Sequence, residues 1–153
     1  MCEQGFHFCT DLQDVVKYYH QPTMRVFEIE ATGIITDAEE GCSKRACSEI
    51  RLVKELSLDD VAHSITKSEI AYRWASGIGN KDTMINHITD SKWAYRWARW
   101  IGNQDTMINC ISDSQYAFYW VMDIGNQDIM KPRVTEPYWI EEWNNRFPND
   151  QII

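Results

Sequence analysis

From Ser68 the chain writes one 23-residue segment three times, SEIAYRWASGIGNKDTMINHITD, SKWAYRWARWIGNQDTMINCISD and SQYAFYWVMDIGNQDIMKPRVTE, and PYWIEEWNNRFPND follows from Pro137 as a shortened fourth copy. The first two copies agree at 16 of 23 positions without a gap. A fixed period of this size means stacked supersecondary units, each too small to bury its apolar face alone. Whatever else the chain does, most of its length must build such a stack.

The unit divides into two helical stretches. In the central copy, Trp93, Ala94, Trp97, Ala98 and Ile101 form a broad apolar stripe at helical spacing over Ser91–Ile101. Pro137 in place of the unit's Ser fixes where that helix starts, because proline favours the first helical position. Asp90, Asp113 and Glu136 are therefore the expected N-caps. Gly79, Gly102 and Gly125 mark its end as C′ glycines. The next residue, Asn80, Asn103 or Asn126, is expected to cap a second helix of about eight residues, with Asp82, Asp105 or Asp128 in its first turn. The GNxD motif thus reads as helix punctuation, since it lacks the ligands and glycines of a metal or phosphate loop. Stepping back 23 residues, SLDDVAHSITK matches a second helix, with Val61, Ala62 and Ile65 in the apolar positions. The array then comprises a half unit (57–67), units 68–90, 91–113 and 114–136, and a capping unit (137–150), where Glu141, Glu142 and Asn144 replace Phe118, Tyr119 and Val121.

All seven tryptophans fall in the repeats, and Trp74, Trp97, Trp120 and Trp143 share one position, expected to be an internal column. Tyr72, Tyr95 and Phe118 stand about 200° away around the same helix. Either the helix is buried on two sides, or an aromatic stripe is exposed beside Arg73, Arg96 and Arg99. In the second case Tyr72, Arg73, Tyr95, Arg96, Arg99, Trp100 and Tyr119 would form a partner-binding surface of the composition common at interfaces. Lys92, Trp100 and Tyr119 vary between copies, where a partner-specific surface is expected.

Residues 1–56 carry no repeat. Phe6–Cys9 alternates as a strand does, and Thr10 or Asp11 can cap a short helix with Leu12, Val15, Val16 and Tyr19 at helical spacing, closed by Gln21-Pro22. From Arg25, RVFEIEATGIIT reads as a strand interrupted at Gly33, with Val26, Glu28 and Glu30 on one face. Asp37–Gly41 is a polar turn, and Ile50–Leu56 a last strand. The expected fold class is α+β: a small sheet-plus-helix module (1–56) followed by a short α-hairpin solenoid of 23-residue repeats (57–153).

The pattern GFHFC-x-x-L-x-x-V-x-x-YY, followed by VFEIEATG and IRLVKEL, resembles an N-terminal module of phage and prophage proteins of unknown function, where it often precedes short repeats. Gly5–Gly33 is also similar to the middle of the ADP-ribosyltransferase fold, where a G-aromatic-x-F strand, a helix ending in Tyr and a Glu-bearing strand with a Gly follow one another. The similarity does not extend upstream, to the strand whose His or Arg holds the nicotinamide cofactor. That resemblance implies that Tyr18 and Tyr19 stack on a nicotinamide. By strand alternation His7 and Glu28 stand on neighbouring strands, as an acid–base pair would. The plainer reading is Glu on an exposed strand face and Tyr rings over the core. Cys2, His7 and Cys9, with His20 one helix on, have zinc-ligand chemistry but no recognised spacing, and lone cysteines are usually small core residues. Neither metal nor cofactor is expected.

Five cysteines, an odd and scattered set, read as reduced thiols. No run approaches the roughly 18 apolar residues of a membrane span, nor does the N-terminus resemble a signal peptide, so a cytoplasmic protein is expected. The net charge of −8 divides as −4 in residues 1–56 (10 acids, 6 bases) and −4 in 57–153 (13 acids, 9 bases), which excludes a basic nucleic-acid binder in either half. Acidic surface complements a basic one. The expected function is therefore a non-enzymatic protein-binding module that docks on the basic surface of a macromolecular complex without touching nucleic acid or membrane. The phage-like resemblance implies an inhibitor of a bacterial host or defence complex, in the manner of an anti-CRISPR protein. The alternatives are a small or degenerate ADP-ribosyltransferase-like enzyme and a self-associating structural protein, a homodimer through Trp100. A pocket lined by His7, Tyr18, Tyr19 and Glu28 would favour the enzyme; a bare aromatic and Arg stripe would favour docking.

Overall fold

A computed structural model describes residues 5–36 and 43–153, and shows an α+β protein: a three-stranded antiparallel sheet followed by short helices. The expected turn at Asp37–Gly41 and Cys2 lie outside the described residues. The chain divides into two compact units, Met1–His87 and Ile88–Ile153.

In the first unit, strands β1 (Phe6–Cys9), β2 (Val26–Thr36) and β3 (Lys44–Leu56) lie in the order β1-β3-β2. The last strand starts six residues before the expected Ile50, because Lys44–Cys47 is paired on both sides, to Cys9–Phe6 of β1 and in part to Ile35 and Thr36 of β2. Its polar sequence hides a strand held by ladder hydrogen bonds on both edges. Gly33, at φ +73°, sits in the expected bulge, between the Thr32↔Glu49 and Ile35↔Cys47 pairs. The Thr10–Tyr19 helix forms as a 3-10 turn, Leu12–Asp14, capped by the Asp11 side chain, running into α1 (Val15–Tyr18). Its buried residues are Gln13, Asp14 and Val16, whereas Tyr19 is exposed rather than packed.

Gln13 and Asp14 are buried because they hold other segments. The Gln13 side-chain oxygen accepts from the Thr66 and Lys67 amides at 3.3 and 3.4 Å. Asp14 accepts from Ser43 Oγ at 2.7 Å and lies 3.1 and 3.3 Å from the Lys17 and Lys67 ammonium groups. Burial alone would raise the Asp14 pKa, but these donors together hold it below its ordinary value. A carboxylate depressed on folding contributes stability that is complete above its unfolded pKa of about 3.9 and lost as pH falls through the folded value. Asp14→Asn is therefore expected to flatten the loss of stability below pH 4 in urea unfolding at graded pH; an unchanged acid limb would contradict this.

The half unit forms α2 (Leu58–His63), opened by a Ser57/Asp60 capping box, with Val61, Ala62 and Ile65 buried as expected. The first whole repeat supplies α3 (Ser68–Gly77), which packs on α1, then α4 (Lys81–Met84) and a 3-10 turn, Ile85–His87.

The second unit repeats that plan. Helices α5 (Ser91–Trp100) and α7 (Ser114–Asp123) are followed by α6 (Gln104–Met107) and α8 (Gln127–Met130), each running into a 3-10 turn, and α9 (Pro137–Arg146) closes the unit. Asp90 and Asp113 cap through their carboxylates; Glu136 holds the same place with no side-chain bond. In all three copies the residue after the positive-φ glycine is left-handed too: Asn80, Asn103 and Asn126 have φ of 57°, 56° and 61°, with no side-chain cap bond. The asparagines are thus needed for backbone conformation, not as the expected side-chain caps, and after glycine asparagine is the residue that best tolerates that region.

Trp74, Trp97, Trp120 and Trp143 are each at most 2% exposed, as are Met84, Met107 and Met130 of the second helices. The repeated serine has a role that helix punctuation does not predict. Ser91 Oγ accepts from the Ser112 and Asp113 amides (2.9 and 3.2 Å) and donates to Cys110 O (3.2 Å); Ser114 Oγ does the same with Thr135, Glu136 and Arg133 (3.0, 3.2 and 3.3 Å). Each serine staples the start of its unit to the last residues of that unit, which lead into and cap the next helix. In the cap, Asn144 instead bonds Ile152 in both directions, and the Trp143 indole donates to Asp150 O.

Candidate functional site

Two places bring the candidate residues together, one in each unit. In the first, antiparallel pairing sets His7 and Cys9 opposite Ala46 and Lys44, and Phe27, Ile29 and Ala31 opposite Glu55, Leu52 and Ile50. With the Leu12–Tyr19 helical turn against these rows, an open cavity of about 600 Å³ remains, and His7, Tyr18, Tyr19 and Glu28 all line it. Its lining residues are mostly apolar, among them Phe8, Leu12, Val15, Phe27, Ile29 and Ile50.

The cavity does not make His7 and Glu28 an acid–base pair. Strand β3 lies between β1 and β2, so the two residues are not on neighbouring strands. His7 pairs with Ala46 and Glu28 with Lys54, eight residues further along β3, or about 27 Å in an extended strand. Both residues line the cavity, but the register sets them toward different ends of β3. Glu28 also shares its strand face with Glu30, which pairs with Arg51, and not with Phe27 and Ile29. A cation stands at each end. Lys44 Nζ lies 4.7 Å over the Tyr18 ring, and Arg25 lies 5.0 Å over Phe27 while donating to both Glu55 carboxylate oxygens at 2.8 and 2.7 Å. Those hydrogen bonds hold Glu55 below the usual carboxylate range.

Among the described residues no three His, Cys, Asp or Glu side chains gather as metal ligands. His7 and Cys9 share the cavity face, but His20 follows α1 with its ring against Gly77, and Cys2 lies outside the described residues.

In the second unit the helix is buried on two sides, the first of the two alternatives that its geometry allows. Tyr95 and Phe118 are each 9% exposed, and Tyr119 is half-buried, its ring 5.5 Å from Trp139 and 6.1 Å from Tyr95. The Tyr95 hydroxyl bonds Asp123, which also pairs with Arg99 at 2.5 Å; burial, then the Asp123 carboxylate, push the phenol pKa up. Tyr95 is therefore a packing residue and not a partner contact. In the first unit Tyr72 and Arg73 are half-buried, and Arg73 donates to Glu69 at 2.9–3.0 Å.

What stays outside is the cationic part. Lys92 and Arg96 lie 5.1 and 4.7 Å over the Trp93 ring, and Arg99 lies 4.9 Å over Trp100, itself 68% exposed. Lys92, Arg96 and Arg99 are spaced i, i+4, i+7 on one side of α5. Neither Lys92 nor Arg96 takes part in an ion pair among the described residues. Spacing puts Trp93 in the apolar stripe and Lys92 at a variable position, and nothing in the spacing indicates that Lys92 and Arg96 cover the Trp93 ring.

Comparison with known proteins bears on the first unit. Residues 1–64 match the family model of a domain of unknown function, DUF7666, a span that contains every described residue lining the cavity. No curated protein and no solved structure matches the chain. No helix among the described residues is long and apolar enough to cross a membrane.

Proposed function

We propose that this protein is a non-enzymatic binding module that docks a protein partner on the α5 side of its helical array. The observation that carries this reading is the Lys92–Arg96–Trp93 stack beside Arg99 and the exposed Trp100. Trp and Arg are the side chains over-represented where interface energy concentrates, and cations already stacked on rings lose little entropy on binding. The net charge of −8 favours long-range approach to a partner that is basic overall, while the cationic α5 face requires acidic or aromatic groups at the point of contact itself, where like charges would repel. The likeness of the first unit to phage-encoded modules supports a bacterial host or defence complex as that partner, and an inhibitory role.

A triple variant, Lys92→Ala with Arg96→Ala and Trp100→Ala, tests the reading, because all three residues are exposed and their loss leaves the buried Trp97 column intact. Capture from a bacterial lysate should yield a partner whose recovery falls at least tenfold with the variant, at unchanged circular dichroism. Unchanged recovery would remove the α5 face from consideration. A concentration-dependent dimer in light scattering, abolished by the same variant, would assign the face to a second copy of the chain.

A second reading, an ADP-ribosyltransferase-like enzyme, draws on the gathering of His7, Tyr18, Tyr19 and Glu28 around one cavity. The separation of His7 from Glu28 along β3 weighs against proton transfer between them.

A further inference from the structure

We infer that the outer edge of β2 is a second docking site, which takes an extended peptide of alternating basic and apolar residues as a fourth strand, independently of whether α5 docks a partner. The order β1-β3-β2 puts β2 at the rim of the sheet, and among the described residues it pairs with β3 alone. About half of its backbone N–H and C=O groups therefore face away from the sheet, a template on which an extended chain completes a ladder. The usable stretch is Val26–Thr32, which ends at the Gly33 bulge. Neither proline nor lysine interrupts that stretch, and the extra residue at the Glu28/Ile29 register shift, Val53, belongs to β3.

The side chains of β2 select the peptide. Phe27, Ile29 and Ala31 alternate along the strand, are half-buried, and line the cavity of about 600 Å³. Every second side chain of an added strand would lie beside that row, so apolar residues are favoured there. Glu28 and Glu30 occupy the alternate positions and are exposed, and β2 carries no base. On β3, Arg51 donates to Glu30 at 3.0 Å, whereas Lys54, the ladder partner of Glu28, forms no ion pair with it. The ladder thus runs from bases on β3 to acids on β2, and a strand bearing Lys or Arg continues the alternation. An acidic strand would set like charges side by side, and a second copy of β2 would bring only its own Glu28 and Glu30. Slipping the peptide by one residue would place its bases over the apolar row, so the two faces also fix register.

The full chain would be titrated with the fluorescein-labelled peptide KVKVKVK, followed by fluorescence anisotropy. Saturable one-to-one binding is expected, at least tenfold tighter than that of KKKKVVV, which has the same charge without the alternation. N-methylation of the internal amides of KVKVKVK, which removes the ladder donors and keeps the charge, should weaken binding at least tenfold. Glu28→Lys should do the same, whereas Glu141→Lys, an equal charge change on α9, should leave binding unchanged. Both positions are exposed, so the variants keep the fold and circular dichroism will verify this. The bound peptide should slow hydrogen exchange of β2 amides and leave those of α5 unaffected. Equal binding of KKKKVVV or of the N-methylated peptide, or equal losses in the two variants, would reduce the effect to attraction by net charge and overturn the inference. A dimer of the peptide-free chain with its β2 amides already protected would overturn it too, by assigning the edge to a second copy. None of these outcomes bears on partner capture by α5.

Discussion

Replacing Ser114 with alanine is expected to cost about 2–3 kcal/mol of stability and to lower the melting point of the second unit by about 8–24 °C, although it removes a single oxygen. Ser114 is 2% exposed, and its hydroxyl oxygen accepts from the Thr135 and Glu136 amides while donating to Arg133 O. Alanine leaves those amides without an acceptor at the junction of two units. An unmade hydrogen bond at a buried site costs the desolvation of the stranded group, about 1–3 kcal/mol, and not only the modest net value of the bond. In the last copy the position is Pro137, which serves the helix start and carries no hydroxyl for a staple. Near-ultraviolet circular dichroism reports the transition, since every tryptophan except Trp74 lies in this unit. Ser76→Ala, on an exposed position of α3, should change stability by less than about 0.5 kcal/mol. Equal effects at the two serines would show that the staple contributes nothing.

Much of the repeat array was legible because its signals are local. A glycine closing a helix, an aspartate opening the next and a tryptophan every 23 residues each act within one turn or one face, so spacing alone recovers the helices and the Trp97 column. The Ser114 staple was not legible, because its partners lie 19 to 22 residues away and a serine at a helix start already has a sufficient local explanation. The same division runs through the first unit. Alternation shows that Phe27 and Ile29 share a face, but nothing in the sequence says that β3 stands between β1 and β2, and that order decides whether His7 and Glu28 meet. Strand order is a property of non-local pairing, and the polar run Lys44–Glu49 conceals the strand that does the pairing. For the second site, helical geometry posed the right alternative for Tyr95, burial on two sides or exposure. Choosing between them required the Asp123 partner 28 residues away.

Gly77→Ala should destabilise the first unit by about 1–3 kcal/mol, the reverse of what helix propensity predicts. Within a solvent-facing helix, glycine to alanine gains about 1 kcal/mol. At Gly77 an added Cβ would fall inside contact distance of the His20 carbonyl oxygen and 3.1 Å from its carbon, and both are backbone atoms that cannot rotate away. The helix would have to withdraw from the turn after α1. That withdrawal would strain the Gln13 bonds to Thr66 and Lys67 that fasten the same segments. Repeat equivalence sharpens the argument, because the matching residue 23 positions on is Trp100, which is 68% exposed. One position of the repeat is therefore glycine where backbone crosses against it and tryptophan where nothing covers it. Urea unfolding with hydrogen exchange of the β2 and β3 amides measures the effect: Gly77→Ala should speed exchange in the sheet as well as in α3. A stabilised variant would mean that α3 does not lean on the turn at His20, and that Gly77 is only a weak spot in an otherwise ordinary helix.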